Sequence, residues 1–321
     1  MKVSILIPCY NAEQWVGHAI QTALDQTWPD KEVIVVDDGS TDRSLEIIRS
    51  FRNQIRWETG PNQGGNVARN RLLELASGEW LQYLDADDYL QPNKIEGQLR
   101  GSYTSSADVI YSPVTMEYWT GSQAVHREVL GFDGTQDPWV LLIRWILPQT
   151  GASLWRASAV RDVGAWKVDQ PCCQEHELYL RLLAAGKQFA YCPARGAVYR
   201  QWSTETICRR DPLHTFQRRL AVVRQCELHL LACGQLTIQR SNAIAITRVE
   251  CARSMYPLDS VLAIGAAGTA KNTGLTFRLP AEPAFPLAYR VLYRWIGFRH
   301  AERIAAIIRR FRRQIGHSLC N

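Results

Sequence analysis

Three short polar runs in this 321-residue chain carry the residue types that hold cations and move protons. Asp85-Ala86-Asp87-Asp88 places three carboxylates in four residues, directly after the apolar stretch 80–84. Carboxylates this close repel one another unless they are solvated or neutralised. A hard divalent cation shared with diphosphate oxygens would neutralise them; an acidic turn capping a helix that starts near Pro92 would look the same in sequence. Asp37-Asp38-Gly39-Ser40 offers a carboxylate able to accept from a pyrimidine N–H or from ribose hydroxyls, with Gly39 suited to a tight turn. Alone, that run also reads as a capped turn leading into a helix. The third run, Gln174 to Arg181 (QEHELYLR), opens a helix with Glu175 in its first turn, where the helix dipole favours a carboxylate. Glu175 is a candidate general base, while Glu177 and Arg181 have the i,i+4 spacing of an ion pair.

Two further segments add cationic and aromatic groups. Residues 62–70 (NQGGNVARN) form a glycine-containing loop entering a helix, and Arg69 lies one turn in, able to reach a base, a phosphate or a surface carboxylate. This is not the GxGxxG fingerprint, and no GxxxxGK[ST] loop occurs, which counts against dehydrogenases and P-loop enzymes. In Tyr199-Arg200-Gln201-Trp202, Arg200 could hold a diphosphate and Trp202 could cover a sugar face. The nine cysteines are odd in number and contain no CxxC, so no disulfide framework is expected. Cys172 and Cys173 adjoin Glu175 and His176, but zinc ligands usually come as spaced pairs.

The elements needed to position these residues follow from apolar periodicity. Strands are expected at 3–8, 32–36, 55–58, 80–84, 108–111 and 188–192, and helices at 12–26, 43–51, 66–76, 92–100 and 175–185. Ser40 or Thr41 is the expected cap of the second helix. Alternating strands and helices imply a doubly wound, mainly parallel sheet, whose ligands bind beyond the carboxyl ends of the strands. Pro8-Cys9-Tyr10-Asn11, Asp37-Asp38-Gly39-Ser40 and Asp85-Ala86-Asp87-Asp88 stand at three such ends, which outlines one crevice. Residues 112–200 are mixed, and from about 211 onward only helices are expected (213–233, 238–255, 258–270, 286–315). A boundary is therefore placed near residue 210.

Composition agrees with a packed protein. Apolar residues make up 46% and charged residues 21%, which excludes wholesale disorder and fibrous repeats. The longest apolar runs are too short or interrupted for a spanning helix. The start, MKVSILIPCYN, reads as a buried strand rather than an export signal, so a cytoplasmic location is expected.

Taken in order, VSILIPCYN, VIVVDDGSTD, NQGGNVARN, LDADD and QEHELYLRLLAAG resemble the family 2 glycosyltransferases of GT-A fold, over about residues 1–205. The resemblance implies an α/β GT-A fold, a Rossmann-like mainly parallel sheet flanked by helices, with a helical extension after it. It divides 1–210 into a nucleotide-sugar half (1–110) and an acceptor half (111–210), followed by a helical region, 211–321. It implies inverting transfer from a nucleotide-diphosphate sugar, UDP-linked, to the hydroxyl of a glycan or lipid-linked acceptor in cell-surface polysaccharide or glycolipid synthesis, assisted by Mn2+ or Mg2+. By the same resemblance Pro8, Tyr10 and Glu13 line the base and ribose pocket, Asp38 contacts the base with Asp37 behind it, and Arg69 faces the nucleotide. Asp85, Ala86 and Asp87 form the DxD run, Asp87 being the metal ligand. Glu175 stands where the family usually has its catalytic Asp, and Arg200 and Trp202 where many relatives have Arg-x-His. A non-catalytic nucleotide-sugar or glycan-binding module on the same fold is the rival reading.

The net charge of +6 is uneven. Residues 286–321 hold eight arginines and one acid, Glu302, giving +7, so the remainder is close to neutral. Within 286–315, Ile304, Ile307, Ile308, Phe311 and Ile315 fall on one helical face, with arginines beside it. This reads either as an interfacial helix on anionic lipid, at the inner face of the plasma membrane, or as a helix packed on the catalytic domain. No nucleic-acid-binding fold accompanies it, and nucleic acid is not expected as a partner.

Overall fold

The structure, a computed structural model, describes residues 1–101, 105–132, 134–203, 210–270 and 278–318, with side chains described as far as residue 309. It divides into two compact units, Met1–Ile207 and Cys208–Asn321.

The first unit runs β1 (Val3–Cys9), α1 (Val16–Leu24), β2 (Lys31–Asp37), α2 (Ser44–Ser50), β3 (Arg56–Thr59), α3 (Gly65–Leu75), β4 (Trp80–Tyr83), β5 (Tyr89–Leu90) and α4 (Lys94–Leu99). It continues with β6 (Val109–Tyr111), β7 (Val114–Thr120), β8 (Gln123–Leu130), α5 (Pro138–Ile143), β9 (Ser153–Arg156), α6 (Ala157–Asp162), α7 (Gln174–Ala184), β10 (Phe189–Tyr191) and β11 (Ala197–Gln201). Seven strands form the main sheet in the order β10-β6-β9-β4-β1-β2-β3. All pairs are parallel except those of β9, which runs antiparallel to β4 and β6. This is the mainly parallel α/β sheet that the order of elements implies.

β1 and β2 are almost continuously apolar because helices cover both faces of a parallel sheet. Pro8 is tolerated inside the central strand for a local reason. Pairing with β4 stops at Leu6↔Tyr83, while pairing with β2 continues to Cys9↔Asp37. The N–H that proline lacks thus lies past the end of the β4 ladder.

Three features depart from the sequence expectation. The region 112–200 contributes a second sheet, β5-β11-β7-β8, built around the β7–β8 hairpin. Strand β9 is too short, at four residues, to show a period. Neither Ser40 nor Thr41 caps α2: Asp42 Oδ1 accepts from Ser44 N at 2.9 Å. Ser40 and Thr41 instead bond Asn11, joining the loops after β1 and β2.

The second unit holds α8 (Pro212–Ala232), α9 (Ile238–Met255), α10 (Ser260–Thr269) and α11 (Leu287–Ser318). Asp211, Thr237 and Asp259 cap the first three by accepting from backbone N–H groups of the first turn. Helix α11 is broken at Gly297 (φ 72°, ψ 176°), a conformation open to glycine and costly for other residues. This unit has its own core, including Val249, Met255, Phe285, Tyr289 and Phe298. Among the described residues no helix is long and apolar enough to cross a membrane.

Candidate functional site

The end of β2 is tied to the start of α3 by carboxylates. Asp37 is buried and accepts from Thr59 Oγ1 at 2.7 Å. Asp38 accepts from the backbone N–H of Gln63 (2.8 Å) and of Gly64 (2.9 Å), so it holds the glycine loop against the sheet. Gly39 is required between them: its φ is +75°, and a Cβ there would lie 2.7 Å from Asn62 N. Glu13 accepts from Arg43 N at 3.0 Å, fastening the loop after β1 to the start of α2. Pro8 is buried in β1, and Tyr10 stands exposed just beyond that strand. A hollow of about 360 Å³ opens beside Asp37 and Asp38, lined also by Thr59, Gly60, Gln63 and Val67.

One turn into α3, Arg69 reaches the acidic run. Its Nη2 donates to Asp85 Oδ1 at 2.7 Å, and its Nη1 to Asn66 Oδ1 at 3.2 Å. Trp166 lies under the guanidinium, 5.2 Å from the ring centroid. Ala86 is buried, and the side chain of Asp87 is half-buried, with Oδ2 accepting from Trp202 Nε1 at 3.0 Å. Asp88 is fully buried and accepts from Arg200 N at 2.9 Å. Burial, and next the charge of Asp85, push the Asp87 carboxyl above the usual range. Asp88 is pushed well above it by burial and by its two acidic neighbours. Burial and mutual repulsion thus disfavour the charged forms of Asp87 and Asp88, and the donor atoms this run offers are carboxylate oxygens. Among the described residues no three His, Cys, Asp or Glu side chains converge as a complete metal shell. Such a donor set fits a hard cation that completes its shell with phosphate and water oxygens.

Arg200 and Trp202 extend from β11 toward the same run. The Arg200 side chain is buried, and its two terminal nitrogens are engaged within the protein. Nη1 donates to the Asp87 carbonyl at 3.0 Å, and Nη2 contacts His18 Nδ1 at 2.7 Å. The guanidinium lies over Trp15 (4.7 Å) and Tyr89 (4.5 Å), and Glu117 is 3.9 Å from its Nε. Arg200 thus meets the acidic run at the Asp87 carbonyl, through its side chain, and at the Asp88 carboxylate, through its own backbone N–H. Trp202 keeps 42% of its surface exposed and packs on Trp15 with centroids 5.9 Å apart. Glu117 is a supporting residue absent from the sequence reading. Its buried carboxylate takes hydrogen bonds from Tyr89 Oη and Trp119 Nε1 and an ion pair from Arg127. An acid at an inward position of an otherwise apolar and aromatic strand is the signal that could have identified it.

Glu175 comes from the first turn of α7, after Cys173, whose φ of 60° turns the chain into the helix. Its Oε1 is 3.3 Å from His176 Nδ1, and the His176 ring stacks on Trp145 at 3.9 Å. Burial alone would raise the Glu175 carboxyl. The hydrogen bond and charge of His176, with a contribution from Arg69, outweigh it and hold the group below its usual value. Glu177, facing elsewhere, pairs with Arg181 (2.8 Å) and Lys167 (2.6 Å), the i,i+4 pair expected. The loop before α7 is fixed to α3. Asn66 Nδ2 donates to the carbonyls of Lys167 (2.7 Å) and Gln170 (2.9 Å), and Asn70 exchanges two bonds with the Trp166 backbone. Neither asparagine was singled out from sequence, although both flank Arg69 at i,i+4 spacing. Asp38, Arg69, Asp85 and Glu175 are therefore joined through one helix, and the charges of Asp85, Asp88 and Glu175 all act on the Tyr199 hydroxyl.

The chain is similar to known proteins in sequence and in fold. Residues 4–159 match the family described as Glycosyl transferase family 2. An uncharacterized glycosyltransferase of Haemophilus influenzae is 41% identical over 101 residues, which is 30% of this chain and 40% of that protein. The poly(ribitol-phosphate) beta-glucosyltransferase of Bacillus spizizenii is 40% identical over 97 residues, 28% of this chain and 15% of that protein. The hyaluronan synthase of Pasteurella multocida is 39% identical over 97 residues, 29% of this chain and 10% of that protein. The matched stretch thus spans 40% or less of each of these relatives. The crystal structure of S. aureus TarS 1-349 in complex with UDP-GlcNAc superposes with a TM-score of 0.68 at 17% identity, over 94% of this chain and 91% of that one.

Proposed function

Residues 4–159 belong to glycosyl transferase family 2, and from that premise we propose that the protein transfers a sugar, with inversion, from a UDP-linked donor to an acceptor hydroxyl in cell-surface polysaccharide or glycolipid synthesis. The observation that carries the reading is Arg69, which bonds Asp85 of the acidic run while its charge acts on Glu175. One side chain thereby relates the donor-side carboxylates to the candidate base. The UDP donor is supported by the fold neighbour solved with UDP-GlcNAc, and the polymer setting by the hyaluronan synthase and the poly(ribitol-phosphate) beta-glucosyltransferase among the relatives.

The acceptor oxygen attacks the anomeric carbon from the side opposite the diphosphate. The C–O bond to the leaving nucleoside diphosphate breaks with that electron pair, and Glu175 takes the acceptor proton. Its depressed pKa keeps it ionised, and so able to accept, throughout the neutral range. Asp87 is the residue that would hold Mn2+ or Mg2+, with Asp85 beside it; a fold neighbour was solved with GDP-Man and Mn2+. When bound, the cation would offset charge on the departing diphosphate. Asp38 fixes the glycine loop, and Pro8, Tyr10 and Glu13, in and just after β1, would line the uridine pocket as the family resemblance implies. Asp37 supports Asp38 from behind, and Trp202 would cover the sugar.

The test is a thermal-shift screen of nucleotide sugars with and without Mn2+, followed by donor hydrolysis with and without chelator. Stabilisation by a UDP-sugar and turnover abolished by chelation are expected. Donor binding without turnover under any acceptor would favour a sugar-binding module, and no donor-dependent shift would remove the transferase reading.

A further inference from the structure

We propose that α11 presents a docking face for an anionic lipid surface. The helix has two unlike sides. Tyr289, Phe298, Ala301 and Glu302 are buried in the core of the second unit. On the opposite side Leu287, Val291 and Trp295 recur every four residues, and Trp295 is 80% exposed. Past the break at Gly297 the exposed apolar row resumes with Ile304, Ile307 and Ile308. Arg294, Arg299 and Arg303 are exposed among these residues.

Charge decides what covers this face. The one acid within residues 286–321 is Glu302. Its carboxylate is buried and bonded by Arg253 Nε at 2.7 Å and Arg309 Nη2 at 2.8 Å. No carboxylate of α11 therefore offsets the outward arginines. A second copy docking by the same face would set arginine against arginine, which like-charge repulsion disfavours. A surface of phosphate head groups over acyl chains satisfies both components: guanidinium groups pair with phosphate oxygens, and tryptophan and isoleucine enter the boundary below them. The proposal concerns the second unit alone and does not depend on the transferase reading.

The experiment uses the full chain in a sedimentation assay with vesicles of phosphatidylcholine, with and without phosphatidylserine. Binding is expected only to the phosphatidylserine vesicles and is expected to weaken as salt rises. Reversing three charges (R294E/R299E/R303E) should lower the partition coefficient by about 100-fold or more, since each basic residue near such a surface contributes about fivefold. W295S, which leaves the charge unchanged, should also lower it. Both variants should keep the parent's Tm, because the altered side chains are exposed. Equal binding to neutral vesicles, no binding, or variants that bind like the parent would overturn the proposal. Self-association lost in W295S without any vesicle binding would assign the face to a second copy instead.

Discussion

At the scale of single residues, the site's chemistry depends on how burial and neighbouring charge set each carboxylate. Glu175→Gln keeps the shape and removes the proton acceptor. Turnover is expected to fall by about 100-fold or more while donor binding, measured by calorimetry, is retained. The acid limb of the wild-type rate profile should lie below the ordinary glutamate value of about 4.3, because the charged form is the favoured one in the folded protein. Stopped-flow rates falling already between pH 7 and 5 would contradict this. The positions were legible from spacing, Asp85 and Asp87 directly after the strand Trp80–Tyr83 and Glu175 in the first turn of α7; the roles given to them are proposals. The setting of Arg200 was not. Its enclosure by Trp15, Tyr89 and Glu117 brings together residues from α1, β5, β7 and their flanks, which sequence separation conceals.

At the scale of elements, stability and site geometry share hydrogen bonds. Asn70→Ala removes two bonds to the Trp166 backbone and leaves a buried N–H and C=O to find other partners. A loss of about 1–3 kcal/mol is expected in urea unfolding, with turnover reduced because the loop leading to Glu175 loosens. Glu32 of β2 tests a second tie. It accepts from Ser4 Oγ at 2.5 Å and from Ser77 N at 2.8 Å, and pairs with Lys2 at 3.0 Å. Burial alone would raise its carboxyl, but these bonds outweigh that and hold it at about 2. A depressed carboxyl stabilises the fold above its unfolded value of about 4.3 and loses that contribution as pH falls toward the folded value. The stability gap between wild type and Glu32→Gln should therefore be constant above pH 5 and narrow from there toward pH 2. The parallel core was legible because β1 and β2 are apolar throughout. The β7–β8 hairpin was not, because β8 is exposed along its whole length and alternates weakly.

At the scale of the whole molecule, the boundary at 207/208 separates opposite charges. The first unit holds 19 basic and 25 acidic residues, and the second 18 basic and 6 acidic. The acidic side chains proposed to bind the donor all lie in the first unit, which has its own continuous core. A fragment ending at residue 207 is expected to fold and to keep its Tm rise with UDP-sugar and Mn2+. An unfolded or donor-indifferent fragment would show that the second unit completes the site. The helical character of the second unit could be read from periodicity, whereas the break at Gly297 could not, since an isolated glycine is tolerated in many helices. One detail of the first unit has a practical consequence. The indole of Trp202 is bonded directly to the carboxylate that would ligate the cation. A cation taken by Asp87 would compete for that bond, so Trp202 emission is expected to report loading of the site. Titration with Mn2+ and nucleotide should change the emission, and subtracting the trace of Trp202→Phe should isolate that one fluorophore among the eleven tryptophans without any label.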